Sequence, residues 1–387
     1  MHAATAPAEA APTEAVASRR VAGWDLLRGL CAVAVALYHL LIWQNVASIE
    51  TFGTYGVYMF FMLSGASLAY TYAGRIDDGS FRVTQFLFVR YLRLAPLYIL
   101  LMLLILPLLQ ISVGPVDRLA WLLFLNTTFL YGVWNPSVNA IVPAGWSLGI
   151  EAMFYLLFPF LMRSFVSWRK ALALFMLLLI LQGVWIAGTL GEGAWAFRER
   201  DYHQAPAFAG YFMAGCILGV LQLRAGARLV RKRRGGVALL LAGFAVLWAL
   251  NTAEAGQQML GWRGFALPVL CFVMVGLSGT LSFKGYLGGA ARHLGDATYG
   301  LYLIHPILFF YFLPAITLGH SEDWPLHARW VMTALVLACA FLLALASERF
   351  FEQPLRRWSK SRKLFSPAAM AAPPPASGSA KPLEQAP

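Results

Sequence analysis

Residues 24–43 read WDLLRGLCAVAVALYHLLIW. A run of this length and apolarity matches a helix crossing a hydrocarbon core about 30 Å thick, yet it carries Arg28 and His39. Ionisable groups at membrane depth cost several kcal/mol on some scales and mark a partner or a function. Eleven residues separate the two, which places them about 20° from a common helix face and about 16 Å apart along the axis. One face of one helix therefore links an inner boundary to an outer half. Two simpler readings stand beside a functional one: Arg28 can snorkel to the boundary and His39 can be a hydrogen-bonded core residue. A histidine is nonetheless the natural proton acceptor near neutral pH.

The rest of the 387-residue chain extends the pattern. Hydrophobic residues make up 59% and charged residues 12%, against about 25% charged in a soluble domain, and mean hydropathy is +0.64. Apolar segments of spanning length fall at 24–43, 54–73, 91–111, 145–163, 171–190, 206–223, 236–252, 264–282, 297–316 and 328–350. The expected fold is an all-α integral membrane bundle of about ten transmembrane helices. With the N-terminus inside, the basic residues sort sharply: only Arg118, Arg198, Arg200, Arg263 and Arg329 fall outside, and 24 of the 30 fall inside. Positive-inside asymmetry then predicts N-in, C-in topology. It also accounts for the net charge of +12 without nucleic acid, and for Arg231-Lys232-Arg233-Arg234 as a topology signal with an anionic-lipid contact.

Residues 1–21, rich in Ala, Pro and Glu near the start, are expected to be disordered and to lead into an uncleaved first span. Residues 359–387, basic and then Ala/Pro-rich, are expected to be a disordered tail, leaving 22–358 as the membrane domain. Cys31, Cys216, Cys271 and Cys339 lie inside apolar stretches and read as small hydrophobes. Nothing specifies a metal. A homo-oligomer is allowed by the sequence but not specified.

The outer segment from about 112 to 144 holds a short apolar run, Ala120 to Tyr131, expected to be a re-entrant or interfacial helix. Around it stand Asn126, Tyr131, Trp134, Asn135 and Asn139, groups that suit carbohydrate as well as a polar interface. Glu151 follows Gly145-Trp146-Ser147-Leu148-Gly149-Ile150 at the outer start of a span, at the depth of His39, where a carboxylate would orient an imidazole; it could equally be a structural partner for Arg or a proton-coupling site. Arg90 and Arg93 share a face at an inner helix end and could grip phosphates or simply be positive-inside charge. Thr298, Tyr302 and His305 share another face, as polar glue or as site groups.

Taken in order, Asp25-Leu26-Leu27-Arg28-Gly29-Leu30 with His39, Arg90 with Arg93, Trp146-Ser147-Leu148 before Glu151, Tyr299 to His305, and Glu348-Arg349-Phe350-Phe351-Glu352-Gln353-Pro354 resemble the acyltransferase-3 family of bacterial membrane acyltransferases, O-antigen and exopolysaccharide O-acetylases among them. The resemblance implies transfer of an acyl group, commonly acetyl from acetyl-coenzyme A, to a carbohydrate hydroxyl. Carried over, His39 would be the catalytic histidine, Arg28 its companion, Glu151 an active-site acid, and Arg90 with Arg93 the donor-side pair. Trp146, Ser147, Asn126, Tyr302 and His305 are the candidate acceptor contacts. Relatives often show two acids in succession where this chain has Glu151-Ala152. Acyl-CoA is then a donor substrate rather than a bound cofactor. The alternative reading is a proton-coupled transporter, since buried His, Glu and Arg also mark such carriers.

Overall fold

The computed structural model describes residues 20–113, 117–190, 201–225, 233–252, 255–283, 285–314 and 324–361. Of the stretches expected to be disordered, 1–21 and 359–387, residues 1–19 and 362–387 lie outside the described residues, as do Arg228, Arg231, Lys232, Lys284, Arg198 and Arg200, whereas 359–361 close a helix.

The described chain is helical throughout, with no strand. In order it forms α1 (Ala22–Trp43), α2 (Glu50–Asp77), α3 (Val83–Val113), α4 (Leu119–Thr128), α5 (Pro136–Asn139), α6 (Trp146–Met162), α7 (Trp168–Leu190), α8 (Ala209–Ala225), α9 (Arg233–Ala249), α10 (Ala255–Met259), α11 (Gly261–Gly279), α12 (Gly285–Ile307), α13 (Leu326–Ser347) and α14 (Gln353–Ser361). Short 3-10 turns at Leu130–Val133, Arg163–Val166 and Ala205–Phe208 join some of these. Pro306 has no N–H to donate, and just beyond it α12 passes into a π turn at Leu308–Phe312.

Seven helical stretches among the described residues are long and apolar enough to cross a membrane: Ala22–Trp43, Val83–Leu109, Trp146–Val166, Trp168–Leu190, Ala205–Ala225, Gly261–Gly279 and Leu326–Trp358. The three other segments expected to span fall on α2, α9 and α12. All three are helical, but α9 is short of that length and α2 and α12 are too polar to qualify. Their polarity has a physical cause in α2 and α12: both are packed against α1, and the residues they bury include Thr51, Tyr55, Tyr58, Tyr302 and His305. A helix enclosed by protein does not need an apolar surface all round. By contrast α7 leaves Leu177, Ile180 and Val184 exposed on one face.

The centre of the bundle is α1, in contact with α2, α11, α12 and α13, while α2 lies along α8. Backbones approach closely at that second crossing. A Cβ built on Gly215 would sit 1.9 Å from the Met62 carbonyl oxygen, and one on Gly219 2.2 Å from that of Ala66. Small residues four apart on one face are what allow helices to pack this tightly without a hydrophobic driving force.

The short apolar run of the 112–144 segment becomes α4, which turns back along α3. Tyr91 donates to the Thr127 carbonyl at 3.0 Å and Tyr98 to the Asn126 side-chain oxygen at 2.5 Å. It is ten residues long, short of the length that crosses a membrane.

Gly215→Val should force α2 and α8 apart and destabilise the folded protein by about 1–3 kcal/mol. In detergent its unfolding temperature should fall clearly below that of Gly183→Ala, a site with nothing within 4 Å of the added carbon.

Candidate active site

The two histidines meet. His39, one turn before the end of α1, places Nδ1 3.0 Å from Nε2 of His305, near the end of α12. The rings stack with centroids 5.3 Å apart and planes 14° from parallel. Trp43 lies over His39 at 4.8 Å and 5°, closing the stack. His305 is fully buried, whereas His39 is only half-buried.

The tautomers follow from one further contact. Nδ1 of His305 lies 2.8 Å from the Leu301 carbonyl oxygen. A carbonyl oxygen only accepts, so that Nδ1 carries the hydrogen and the neutral ring presents a lone pair at Nε2. His39 must then donate its Nδ1–H to that lone pair. Nε2 of His39 is left as an acceptor, with no hydrogen-bond partner among the described residues. Assignment by network fixes which nitrogen can take a proton.

Ser147 and Tyr302, placed on facing helices, share a hydrogen bond of 2.8 Å. Tyr302 is three residues before His305 and Ser147 is in the first turn of α6, so this bond ties α6 to the histidine pair. One turn further along α6 is Glu151, whose Oε1 accepts from Ser64 at 2.8 Å and from the Tyr155 hydroxyl. The acid does not orient His39, as its expected depth suggested; His305 does. Glu151 belongs instead to the electrostatic surroundings of Arg28 and Arg93.

Arg28 is held tightly. It donates to the Leu63 carbonyl at 2.9 Å and to the Ser67 hydroxyl, and its other terminal nitrogen is 3.5 Å from Asp25. Arg20 adds ion pairs to Asp25 at 3.1 Å and to Asp296 at 2.7 Å. The arginines of α3 divide. Arg90 donates to the Tyr72 hydroxyl at 3.1 Å and lies over the rings of Tyr72, Phe86 and Tyr155, 5.2 to 5.9 Å from their centroids. It is caged. Arg93 is exposed and has no hydrogen bond or ion pair to the described residues, although Tyr155 and Glu151 are its electrostatic neighbours. Of the two, Arg93 is the cation free to take an anionic ligand.

Asn126 has a different job from the expected sugar contact. It is fully buried, and its amide is saturated: Oδ1 accepts from Tyr98 and from the Ile141 N–H, while Nδ2 donates to the Leu122 and Asn139 carbonyls. It braces α4 against the following loop. Trp146 stacks face to face on His203 at 3.7 Å. His203 is also hydrogen-bonded to the Ser137 hydroxyl at 2.8 Å. Burial holds the His203 imidazole down to about 3, so it is a neutral bracket at physiological pH. Trp43, Ser64, Ser67 and Tyr155 were not singled out from the sequence. The usable signals were Trp43 four residues after His39, and Tyr155 four after Glu151.

The sequence profile of the acyltransferase-3 family, described as an acyltransferase domain, matches residues 21–348. The chain belongs to that family. Among its curated relatives is the peptidoglycan O-acetyltransferase OatA of Listeria monocytogenes, 27% identical over 369 residues, which cover 86% of this chain and 55% of that protein. YrhL of Bacillus subtilis, whose name gives the same activity provisionally, is 24% identical over 384 residues, 90% of this chain and 57% of that protein. The chain thus spans somewhat over half the length of these relatives. No solved structure matches it.

Because His203 is neutral when folded and binds a proton near its ordinary value of about 6.5 when unfolded, acid favours the unfolded state. Stability should fall as pH drops from about 7 towards 4. His203→Gln, which keeps a polar partner for Ser137, should flatten that slope in thermal melts against pH.

Proposed function

We propose that the protein is a multi-pass membrane O-acetyltransferase that takes acetyl from acetyl-coenzyme A on the cytoplasmic side and places it on a hydroxyl of a cell-surface glycan. The observation that carries this reading is the Leu301–His305–His39 chain of hydrogen bonds, which leaves Nε2 of His39 as a base with no partner among the described residues. Family membership supplies the reaction class, and the names of the two relatives support peptidoglycan as the glycan.

In this mechanism the donor's phosphates rest near Arg93 and its thioester reaches His39 along α1. Eleven helical residues separate Arg28 from His39, about 16 Å, a span suited to the extended arm of the donor. The acceptor oxygen attacks the thioester carbonyl carbon while its proton passes to Nε2 of His39. The C–S bond then breaks, and the thiolate leaves with that proton from His39. During the step the imidazolium donates Nδ1–H to His305, whose ring is fixed by Leu301. A base so positioned contributes about 10²- to 10⁴-fold. Glu151, held by Ser64 and Tyr155, supports the cationic side of the passage without touching the base. The orientation proposed is N-in and C-in, with the histidine pair in the outer half of a bacterial plasma membrane and the donor arginines in the inner half.

His39→Ala in membranes should lose label transfer from acetyl-coenzyme A to glycan by about 10²-fold or more. His305→Ala should lower kcat by about tenfold with little change in the donor KM, and His305→Gln, which can still accept from His39, should recover part of it. Undiminished transfer by a normally inserted His39→Ala protein would remove the base and the reading with it. Arg93→Ala should instead raise the KM for acetyl-coenzyme A by about tenfold with kcat nearly unchanged.

A further inference from the structure

Beside α4 lies a cavity of about 470 Å³, lined by the polar Asp117, Arg118, Asn135 and Asn139, by Trp121 and Trp134, and by aliphatic side chains of α4 and the turns after it. We propose that it is a carbohydrate subsite that holds the acceptor glycan on the segment packed against the start of α6. The inference rests on the acceptor being a glycan, and it assigns that glycan a place.

The chemistry of the walls argues for sugar. Asp117 and Arg118 are neighbours of opposite charge, yet neither is paired with the other or with any described residue. Trp134 is 74% exposed and Trp121 55%. A phosphate headgroup would suit Arg118 but meet the Asp117 carboxylate, and an acyl chain would satisfy neither. A neutral polyhydroxylated ring offers donors to Asp117, acceptors to Arg118 and an apolar face to an indole. The volume lies within the ~300–1,000 Å³ of small-ligand pockets and would take about two sugar rings.

The backbone here is held rather than loose. Among the described residues, four of the five non-glycine positions with positive φ fall in this segment, at Arg118, Phe129, Asn135 and Ala144. Such conformations persist only where the surroundings over-determine them, and here Asn126 and Tyr131 supply the bonds.

Bonds through the protein tie the cavity wall to α12, the helix that carries His305. The floor residue Tyr131 donates to the Gly145 carbonyl at 2.8 Å, and a Cβ on Gly132 would lie 2.0 Å from the Gly149 carbonyl oxygen, so the loop is pressed onto the start of α6. Two residues after Gly145, Ser147 bonds Tyr302, one turn from His305. A chain seated on Trp134 and Trp121 is therefore registered against the helix that meets the histidine pair.

The test uses the full chain in nanodiscs, with the β-1,4-linked tetramer of N-acetylglucosamine as probe and no acyl donor. Titration calorimetry should show binding to the native protein, weakened about tenfold in Trp134→Ala and in Asp117→Asn. Trp134→Phe, which keeps a stacking face, should bind nearly as the native chain does, and so should Trp248→Ala, an exposed tryptophan elsewhere. No binding by the native protein, or equal binding by Trp134→Ala and Asp117→Asn, overturns the subsite, as does displacement of the tetramer by phosphatidylglycerol. Acyl transfer to the tetramer is then measured separately. Transfer with an unchanged acceptor KM in Trp134→Ala overturns the subsite and leaves the glycan acetyltransferase reading intact. Binding that is lost in Trp134→Ala, together with no transfer by the native chain, supports the subsite and overturns that reading.

Discussion

An imidazole becomes a directed base only when something decides which of its nitrogens holds the hydrogen. Here the decision is made by a backbone carbonyl. Leu301 can only accept, so His305 must donate to it, and His39 must donate to His305. The pair needs α1 and α12 in close contact, and the bundle is arranged to provide it: α1 is enclosed by α2, α11, α12 and α13. The Ser147–Tyr302 bond then fixes α6 against the same end of α12.

The cationic side is built on a similar economy of neighbours. Arg28, Arg90 and Arg93 resemble one another in sequence, but their surroundings differ. Ser67, Leu63 and Asp25 immobilise the first, and a ring cage encloses the second. Of the three, Arg93 is the exposed one and makes no hydrogen bond or ion pair to the described residues, within the field of Glu151 and Tyr155. A guanidinium that already has its hydrogen bonds cannot offer them to a phosphate.

Helical character was legible throughout, because apolar runs of spanning length leave few alternatives to a helix. Span number was less so. Helices α2 and α12 are polar on account of what surrounds them, and composition cannot distinguish a span walled in by protein from one that fails to cross. His39, Arg28 and Glu151 stood out because charge in apolar sequence is conspicuous. Their partners did not. His39 and His305 are 266 positions apart, and nothing in either stretch names the other. Depth suggested Glu151 as the partner of His39, but depth gives one coordinate, and rotation about α6 turns the acid towards Ser64 and Tyr155. Asn126 was conspicuous for the same reason as a ligand contact would be, being an amide among apolar residues; its four internal bonds show that conspicuous polarity can be bracing.

Arg28 and His39 stand on one uninterrupted helix, with neither a kink nor a π turn between them. Their spacing is therefore a ruler graduated in residues. Inserting a single residue between them would advance His39 by about 1.5 Å and swing it about 100° around the axis, off His305 entirely. Replacement of the alanines and valines in between leaves the ruler intact, whereas any change of length destroys it. The interval from 28 to 39 thus carries information in its length that is separate from the packing of its side chains.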